Sequence, residues 1–333
     1  MMADKVAAAS VPESASAARD LLARGNAADA VVAGVAAAAA ASATVLLGPV
    51  QILIGGGGSG LLAFDGRSRQ PGRGAPRPRG FLADEVIPEA ARVAAPVLPA
   101  TLATAIASVG SVSLRRALRP ALEIARAKSP ERATVLEAFS RRGAPTFVEG
   151  FVASELLAVA GRATRGLLTT DDLRSMRPKI ARCHERGHDL PGVITVPWFA
   201  DSDCDASCTQ VVAAMDARGM AAVACYEAPH EGVEIRALGL VAPKSAAPVL
   251  RGKTRVAPGA PRPSAAPIAL RTSGGSVDLA IGIAASTDGQ SILCGLLQAL
   301  AAGASFTAIA GGAGQGHAVA LIKNDRTLRV IGP

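Results

Sequence analysis

Two stretches decide the fold: Gly25-Asn26-Ala27-Ala28-Asp29-Ala30 and Ile54-Gly55-Gly56-Gly57-Gly58-Ser59-Gly60. Gly25 ends one helix, because glycine adopts the left-handed conformation without steric cost. Asn26 is a good N-cap for the next helix, and Asp29 lies in its first turn, where the helix dipole favours an anion. In the second stretch, four glycines after an apolar run let the backbone approach a ligand or another segment closely. We therefore predict two helices followed by a strand, a glycine turn and a strand.

The composition indicates a large core built from small side chains. The chain has 333 residues, of which 50% are hydrophobic and only 3% aromatic, enough to bury one or two domains. Its 5 cysteines are an odd number, which argues against a disulfide framework. No charged segment followed by an apolar run opens the chain, so we predict no secretory signal and a cytoplasmic location.

Two segments raise the possibility of a membrane or nucleic-acid partner. Residues 27–47 are apolar, but they are rich in alanine and contain Asp29, which favours a buried helix over a membrane span. The net charge is +8, and arginines are crowded into residues 67–79. A basic loop can bind phosphates, but only Phe81 lies nearby to stack on a base. We therefore predict a solvated loop that lends one arginine to a site, with neither a nucleic-acid nor a membrane partner.

The hydrophobic pattern changes from helical to strand-like along the chain. Residues 81–180 are mostly helical, including 114–127, 154–159 and a short capped helix from Thr170. Residues 242–267 are rich in proline and are expected to form a surface loop. Helices followed by strands with a helical return indicate a layered α+β domain. The predicted strands and final helix are 193–196, 211–215, 221–226, 235–241, 268–270, 277–283 and 318–322, with a helix at 290–302.

The two opening stretches resemble the γ-glutamyltranspeptidase family, whose large subunit has a GGNAxDA turn followed by a GIGGGGF strand. Arg73-Gly74-Ala75-Pro76 is similar to the family's RxxAP segment with one residue fewer, and Leu167-Leu168-Thr169-Thr170-Asp171-Asp172-Leu173 is similar to its GLLTxEDL segment. The resemblance implies a four-layer αββα sandwich of the N-terminal-nucleophile hydrolase type. It also implies a large-subunit-like segment (1–208) and a small-subunit-like segment (209–333), which associate in one domain.

Thr209 is the candidate nucleophile. In the resembled family, the precursor cuts itself before a Thr that stands ten residues before the glycine of a strand–turn–strand, and Thr209 and Gly219 keep this spacing. Cleavage between Cys208 and Thr209 would free an α-amine with a pKa near ~8, able to serve as the base for the hydroxyl. The residues alone also allow Thr209 to be simply the first residue of a strand, where threonine is common.

The resemblance implies a site for a small γ-glutamyl or other amide substrate, without a cofactor. Arg73 would hold a substrate carboxylate through two parallel hydrogen bonds. The family's GSPGG oxyanion turn falls on 282–286, where most of its glycines are replaced, and two of its substrate-binding residues fall on Glu227 and Pro229. The other candidate substrate-binding residues are Gly56, Gly57, Ser264, Ala285 and Ser286.

Two other interpretations remain open from the sequence. The altered oxyanion turn, and the lack of a recognisable counterpart of the resembled family's lid loop, favour a catalytically inactive relative that acts as a binding or scaffold protein. Five residues have spacings that tetrahedral zinc accepts, although a polar loop with reduced thiols explains them as well, and we predict no metal. These residues are Cys183, His184, His188, Cys204 and Cys208.

Overall fold

The computed structural model describes residues 5–76, 80–184, 192–199, 208–229, 231–285, 288–302, 316–324 and 327–331. Its helices are α1 (Pro12–Leu22), α2 (Ala27–Ala41), α3 (Leu98–Val109), α4 (Leu114–Ala117), α5 (Arg119–Lys128), α6 (Pro130–Arg142), α7 (Phe151–Ala160), α8 (Thr170–Arg174) and α9 (Gly289–Ala301). Its strands are β1 (Val6–Ala9), β2 (Val50–Gly55), β3 (Leu61–Gly66), β4 (Lys179–Arg182), β5 (Val193–Thr195), β6 (Thr209–Met215), β7 (Ala221–Glu227), β8 (Gly232–Ile235), β9 (Leu240–Pro243), β10 (Ile268–Ser273), β11 (Ser276–Ala285), β12 (Gly316–Asn324) and β13 (Thr327–Ile331).

The cap at the start of α2 forms as its sequence predicts, whereas Gly25 does not adopt the left-handed conformation predicted for it, and α1 ends at Leu22 with a right-handed C-cap at Ala23. The Asn26 side chain accepts a hydrogen bond from the Asp29 N–H at 3.0 Å, and the Asp29 carboxylate accepts one from the Asn26 N–H at 2.9 Å. This reciprocal capping box satisfies two of the free N–H groups at the start of α2. Asp29 also accepts a hydrogen bond from the Ser111 hydroxyl, so the buried carboxylate ties the start of α2 to the loop after α3.

Two antiparallel sheets meet at one corner. The first has the strand order β1-β6-β7-β2-β3-β4, and the second has β5-β10-β11-β12-β13. A single residue pair, Thr209 of β6 and Ala285 of β11, joins them. Since strands on both sides of Cys208 build the first sheet, any chemistry at the 208–209 bond takes place at the head of a central strand.

Alternation along the first sheet creates two cores. In β6, for example, Val212 and Ala214 pack with the helices, while Val211 and Ala213 pack with the second sheet. Helix α9 packs on β11 and adds Leu293 and Leu297 to the core between the sheets. The layers are therefore helices, sheet, sheet and helix, and the predicted α+β sandwich of αββα type is confirmed.

One predicted strand is wrong and others were missed. The stretch predicted as a strand at 235–241 is part of the hairpin of β8 and β9, which a short 3-10 turn (Arg236–Leu238) and the left-handed Gly239 interrupt. Its apolar residues alternate well enough for a strand, but the glycine reverses the chain. Strands β1, β4 and β13 were not predicted, since they are short or carry charged residues within the strand.

The first 15 residues of the apolar stretch at 27–47 form helix α2, which is buried almost throughout, whereas residues 42–47 are not helical. A different stretch, Ala144–Thr164, is long and apolar enough to cross a membrane by length and composition, and 39% of its best window is buried. Its longest α-helix is only α7, which Gly150 and Gly161 bound.

Candidate active site

Thr209 lies at the corner where the two sheets meet, and it is 1% exposed. Its Oγ1 accepts a hydrogen bond from the Ala285 N–H at 3.1 Å. The same hydroxyl lies within donating distance of two β11 carbonyls, Ile283 O at 3.1 Å and Ala285 O at 3.3 Å. The hydroxyl is thus fixed by the main chain of the opposite sheet rather than by another side chain.

The peptide bond before Thr209 is also held in place. The Cys208 carbonyl accepts a hydrogen bond from the Ala228 N–H at 3.0 Å. Cys208 and Ala228 are therefore a hydrogen-bonded pair of the antiparallel ladder. Hydrogen-bonded and non-hydrogen-bonded pairs alternate, so the next pair in register, Thr209 and Glu227, is non-hydrogen-bonded. Side chains in such pairs approach each other more closely than those in the alternate pairs.

A row of polar side chains crosses four neighbouring strands at this end of the first sheet. It consists of Thr209 (β6), Glu227 (β7), Gln51 (β2) and Asp65 (β3), and we call it the polar row. Register places Gln51 opposite Asp65 and Thr209 opposite Glu227. Because side chains alternate along a strand, all four project from the face of the first sheet that contacts the second sheet. The polar row is the polar end of an otherwise apolar core.

Glu227 is the perturbed acid of the polar row. Burial raises the pKa of its carboxyl to about 7, against hydrogen bonds from the Ser264 side chain and the Ala265 backbone, which favour the charged form. Its Oε1 is buried and has no hydrogen-bond partner among the described residues. A carboxyl with a pKa near neutrality both accepts and donates protons at physiological pH.

Neighbouring side chains hold the rest of the polar row. Gln51 Nε2 donates to the Ala265 carbonyl at 2.8 Å, and its Oε1 accepts a hydrogen bond from the Trp198 indole. The Arg67 guanidinium lies over the Trp198 ring, 5.5 Å from its centroid, a cation–π distance. Arg67 in turn donates to Asp65 at 3.0 Å, and both groups are buried.

The sequence-predicted residues separate into two groups in space. Ser264 and Ala285 lie beside Glu227 and Thr209, as the contacts above define. Ala285 belongs to a regular extended strand, so no left-handed conformation is needed there, and its N–H is directed at Thr209. Ser286 lies outside the described residues.

Gly56 and Gly57 do not lie near Thr209, which corrects the prediction that they line the same pocket. The turn that holds them follows Gly55, which pairs with Ala221 at the start of β7. Thr209 pairs with Glu227 at the end of β7. Six residues of extended strand place the two ends about 20 Å apart. Both glycines have positive φ, and a Cβ on Gly56 would lie 2.1 Å from the Gly219 carbonyl oxygen. The glycines therefore serve a close approach of two turns.

Arg73 is exposed, and its guanidinium packs against Gly259. The Asp172 carboxylate accepts hydrogen bonds from the N–H groups of Gly72 (2.7 Å) and Arg73 (3.0 Å), and the Thr169 hydroxyl donates to the Arg73 carbonyl. The two segments that resemble RxxAP and GLLTxEDL thus fold against each other. No described contact joins Arg73 to Thr209.

A cavity of about 850 Å³ lies beside this loop, and neither Thr209 nor Glu227 lines it. Its walls include Gly74, Phe81 and Arg165. Arg165 is paired with Glu85 and lies over the Phe81 ring. We place the candidate chemistry at the polar row and not in this cavity, because the Thr169 hydroxyl that lines the cavity is engaged in the cap of α8, where it bonds the Asp172 carboxylate and the Arg73 carbonyl.

The zinc interpretation receives no support from the described residues. Cys183 lies beside Leu61, at the far end of the first sheet from Cys208, so one tetrahedral ion cannot bind both. Burial raises the pKa of the Cys183 thiol to about 11, which disfavours the thiolate that binds a metal. Among described residues no group of three or more potential ligands converges; His188 and Cys204 lie outside them.

Comparisons with known proteins find the same fold. The chain superimposes on cephalosporin acylase from Bacillus halodurans with a TM-score of 0.78, at 14% identity, covering 99% of this chain and 94% of that one. A structure of LmbA2991HD gives 0.74 at 13% identity, covering 100% and 96%. The γ-glutamyltranspeptidase from Pseudomonas nitroreducens gives 0.44 at 21% identity, covering 56% and 66%. No protein-family model and no curated protein sequence matches.

The chain has the fold of an N-terminal-nucleophile hydrolase. At these identities, the whole-chain superposition on cephalosporin acylase shows the fold and nothing finer. The predicted likeness is therefore confirmed in architecture, and the roles of individual residues stay predictions.

Gln51, Asp65 and Trp198 were not predicted as site residues from the sequence, and Glu227 was predicted only as a departure from a family pattern. A signal was present. Two predicted hairpins each have a polar residue at or just before the first strand and another just after the second: Gln51 with Asp65, and Thr209 with Glu227. In a hairpin these positions share one end of the sheet, so the polar residues at the open ends of the two hairpins marked the site.

Proposed function

We propose that this chain is an amide hydrolase or acyltransferase that uses Thr209 as an N-terminal nucleophile after cutting itself between Cys208 and Thr209. One observation carries the proposal. Thr209 stands at the head of a central strand, its hydroxyl fixed by the Ala285 N–H and the carbonyl before it held by the Ala228 N–H. Both groups that react in a self-cleavage step are thereby immobilised next to each other.

The mature chemistry follows from the freed terminus. Once the bond before Thr209 is cut, its α-amine takes the proton from Oγ1 as the hydroxyl attacks an amide carbonyl. The amine of the substrate leaves with that proton, and the acyl group stays on Oγ1 as an ester. Water or an acceptor amine then takes the acyl group. Main-chain N–H groups near Ala285 would stabilise the negative oxygen that forms in each step.

The substrate we propose is a small amide-bearing molecule. The sequence resemblance points to a γ-glutamyl donor, with Arg73 on its carboxylate, and the name of the structural neighbour adds acylated cephalosporins. We infer that γ-glutamyl specificity of the ordinary kind is weakened, since Glu227 places a carboxyl beside Thr209.

A denaturing gel with intact-mass analysis tests the proposal. We expect two fragments, the second beginning at Thr209, from the wild-type chain and from Thr209→Ser, and one intact chain from Thr209→Ala. Thr195→Ala is the matched control, since Thr195 is also a buried strand threonine and its loss should leave cleavage unchanged.

The cleaved protein is then incubated with γ-glutamyl-p-nitroanilide and, separately, with an N-acylated cephalosporin. We expect release of the amine and a mass increase on the fragment that begins at Thr209. An intact wild-type chain that acquires no acyl adduct overturns the proposal.

That outcome would favour the second candidate, a non-catalytic binding or scaffold protein. One observation favours it specifically: in the intact chain the Thr209 hydroxyl is buried and already within bonding distance of two main-chain carbonyls. A threonine bonded in this way is sufficiently explained as part of the sheet corner.

A further inference from the structure

The base proposed for the mature enzyme does not exist before cleavage. In the intact chain the Thr209 nitrogen is an amide, whose lone pair is delocalised and accepts no proton at neutral pH. Self-cleavage nevertheless requires that a proton leave Oγ1 and that one reach this nitrogen. A different group must therefore carry the proton in the first cut.

The titratable groups around Thr209 narrow the choice among the described residues. Asp65 is occupied by its ion pairs with Arg67 and Arg69. Burial, and then the charge of Glu227, raise the pKa of the Cys225 thiol well above its ordinary value, so it stays protonated. Gln51 and Ser264 do not titrate. Cys208 directly precedes Thr209, so its side chain projects from the opposite face of the strand, away from the Thr209 hydroxyl. Glu227 remains.

Geometry favours Glu227 independently of its acidity. It is the direct cross-strand partner of Thr209 in a non-hydrogen-bonded pair, with Cβ atoms expected about 4.5–5.5 Å apart. Ser264 and Ala265 lie beside its carboxyl and favour the charged form, and its Oε1 is buried without a partner among the described residues. The residue that follows it, Ala228, supplies the N–H on the Cys208 carbonyl.

We propose that Glu227 is the acid–base group of self-cleavage at the Cys208–Thr209 bond. This inference rests on the proposed function. Glu227 as carboxylate takes the proton from Thr209 Oγ1 while a bond forms between Oγ1 and the Cys208 carbonyl carbon. The Ala228 N–H stabilises the negative carbonyl oxygen. Glu227 then gives the proton to the Thr209 nitrogen as the carbon–nitrogen bond breaks.

The products of this step are an ester between the Cys208 acyl group and Thr209 Oγ1, and a free Thr209 amine. Water hydrolyses the ester, which leaves a Cys208 carboxylate and restores the hydroxyl. Glu227 ends in the state in which it began, so the net reaction is hydrolysis of one peptide bond by one water.

The test measures the first-order rate of self-cleavage from pH 5.5 to 8.5 in freshly synthesised chains, by gel and intact mass. We expect the wild-type rate to rise with a midpoint near 7, following the deprotonation of Glu227. Glu227→Gln should lower the rate ~10²–10³-fold and flatten this rise. Glu227→Asp, which keeps a shorter carboxyl, should recover part of the rate and of the pH dependence.

Asp278→Asn is the matched control, because it removes a half-buried carboxylate from β11 that pairs with Arg271 and does not contact Thr209. Its cleavage rate should stay within about threefold of wild type, well under the effect of losing an acid–base group. Thermal melting of each intact chain shows whether it is folded.

The possible failures are distinguishable. If Glu227→Gln cleaves at the wild-type rate with an unchanged pH profile, the inference is wrong, while fragments that begin at Thr209 would leave the proposed function standing. If Glu227→Gln does not fold, a wild-type rate that is flat across this pH range still overturns the inference. A wild-type chain that never cleaves overturns both.

Discussion

The first sheet has six strands, and its two ends differ in chemistry. The sequence predicts a site at the end that holds the glycine turn, whereas the structure brings the polar side chains together at the opposite end. The far end holds the glycine turn, packed by apolar neighbours such as Leu61, Met220 and Val277. The near end holds the polar row, which has one member at the end of each of four largely apolar strands. Glycine is abundant where two turns must approach closely, whereas reactive groups need only one well-placed residue per strand.

The largest effect should come from removing the carboxylate that holds the near end together. Asp65 is buried and paired with Arg67 and Arg69. Burial pushes its pKa up, but the hydrogen bond from Arg67 and the charges of Arg69 and Arg67 hold the pKa below its ordinary value. We expect Asp65→Asn to lower the free energy of unfolding by about 3–5 kcal/mol at pH 7, since two guanidinium groups lose their partner.

Urea unfolding measures this change. The control is Glu123→Gln, which breaks an exposed pair with Arg119 and should cost less than about 0.5 kcal/mol. Because the folded pKa of Asp65 is depressed, its stabilisation is present above the unfolded pKa and is lost as the pH falls. Equal costs for the two variants would show that the near end does not depend on its buried charges.

At the far end, adding a methyl group to a glycine should distinguish a glycine required by a close contact from one required only by its positive φ. Gly56 has φ +79°, and its Cβ would meet the Gly219 oxygen at 2.1 Å; Gly58 has φ +84°, but its Cβ would meet nothing within 4 Å. We expect Gly56→Ala to cost about 3 kcal/mol and Gly58→Ala only about 1 kcal/mol, the part due to positive φ.

Urea unfolding of both variants checks this difference, and Thr209-dependent cleavage should persist in the folded fraction of each. A Gly56→Ala chain that is stable but uncut would contradict the comparison, because it would connect the glycine turn to the chemistry after all.

The sequence predicts local structure and architecture here better than it predicts the site. The cap at Asn26 and Asp29 and the hairpin of β2 and β3 depend on contacts within a few residues, and the motifs that resembled a known family gave the layer order. The polar row joins residues from position 51 to position 227, and only strand register brings them together. No local pattern reveals that Gln51 and Glu227 both contact the 264–265 segment.

The glycine run misled for a physical reason. Four glycines permit either a ligand or another backbone to approach, and the sequence does not distinguish these two uses. The space next to Gly56 is occupied by the carbonyl of Gly219 and not by a ligand, and Gly219 is 163 positions away in the sequence.

A third prediction concerns the charge of Glu227 and has the opposite sign from the first two. Because its folded pKa is raised to about 7, the folded state binds the proton more tightly than the unfolded state does. Stability from this group is therefore present below the unfolded pKa and is lost as the pH rises through 7. We expect Glu227→Gln to stabilise the chain by about 2 kcal/mol at pH 8 and to have little effect at pH 4.

Both chains in this measurement carry Thr209→Ala, so that neither is cut, and urea unfolding is followed from pH 4 to pH 8. The matched control is Glu234→Gln, an exposed residue paired with Arg236, which should show no such pH dependence. A stability difference that does not change with pH would mean that the near end does not desolvate Glu227.

The smallest effect should come from the loop that carries Arg73, which belongs to neither end of the sheet. The buried Asp172 caps α8 through Thr169 and also accepts from the N–H groups of Gly72 and Arg73, whereas its neighbour Asp171 is exposed and pairs only loosely with Arg174, at 3.5 Å. We expect Asp172→Asn to cost about 1 kcal/mol in unfolding free energy, the usual contribution of a helix cap, and Asp171→Asn to cost close to none.

If Arg73 holds a substrate carboxylate, Asp172→Asn should also raise KM for γ-glutamyl-p-nitroanilide with little change in kcat, because substrate binding would be weakened and the chemistry at Thr209 left intact. An unchanged KM in a measurably destabilised chain would show that Arg73 does not bind the substrate that reacts at Thr209.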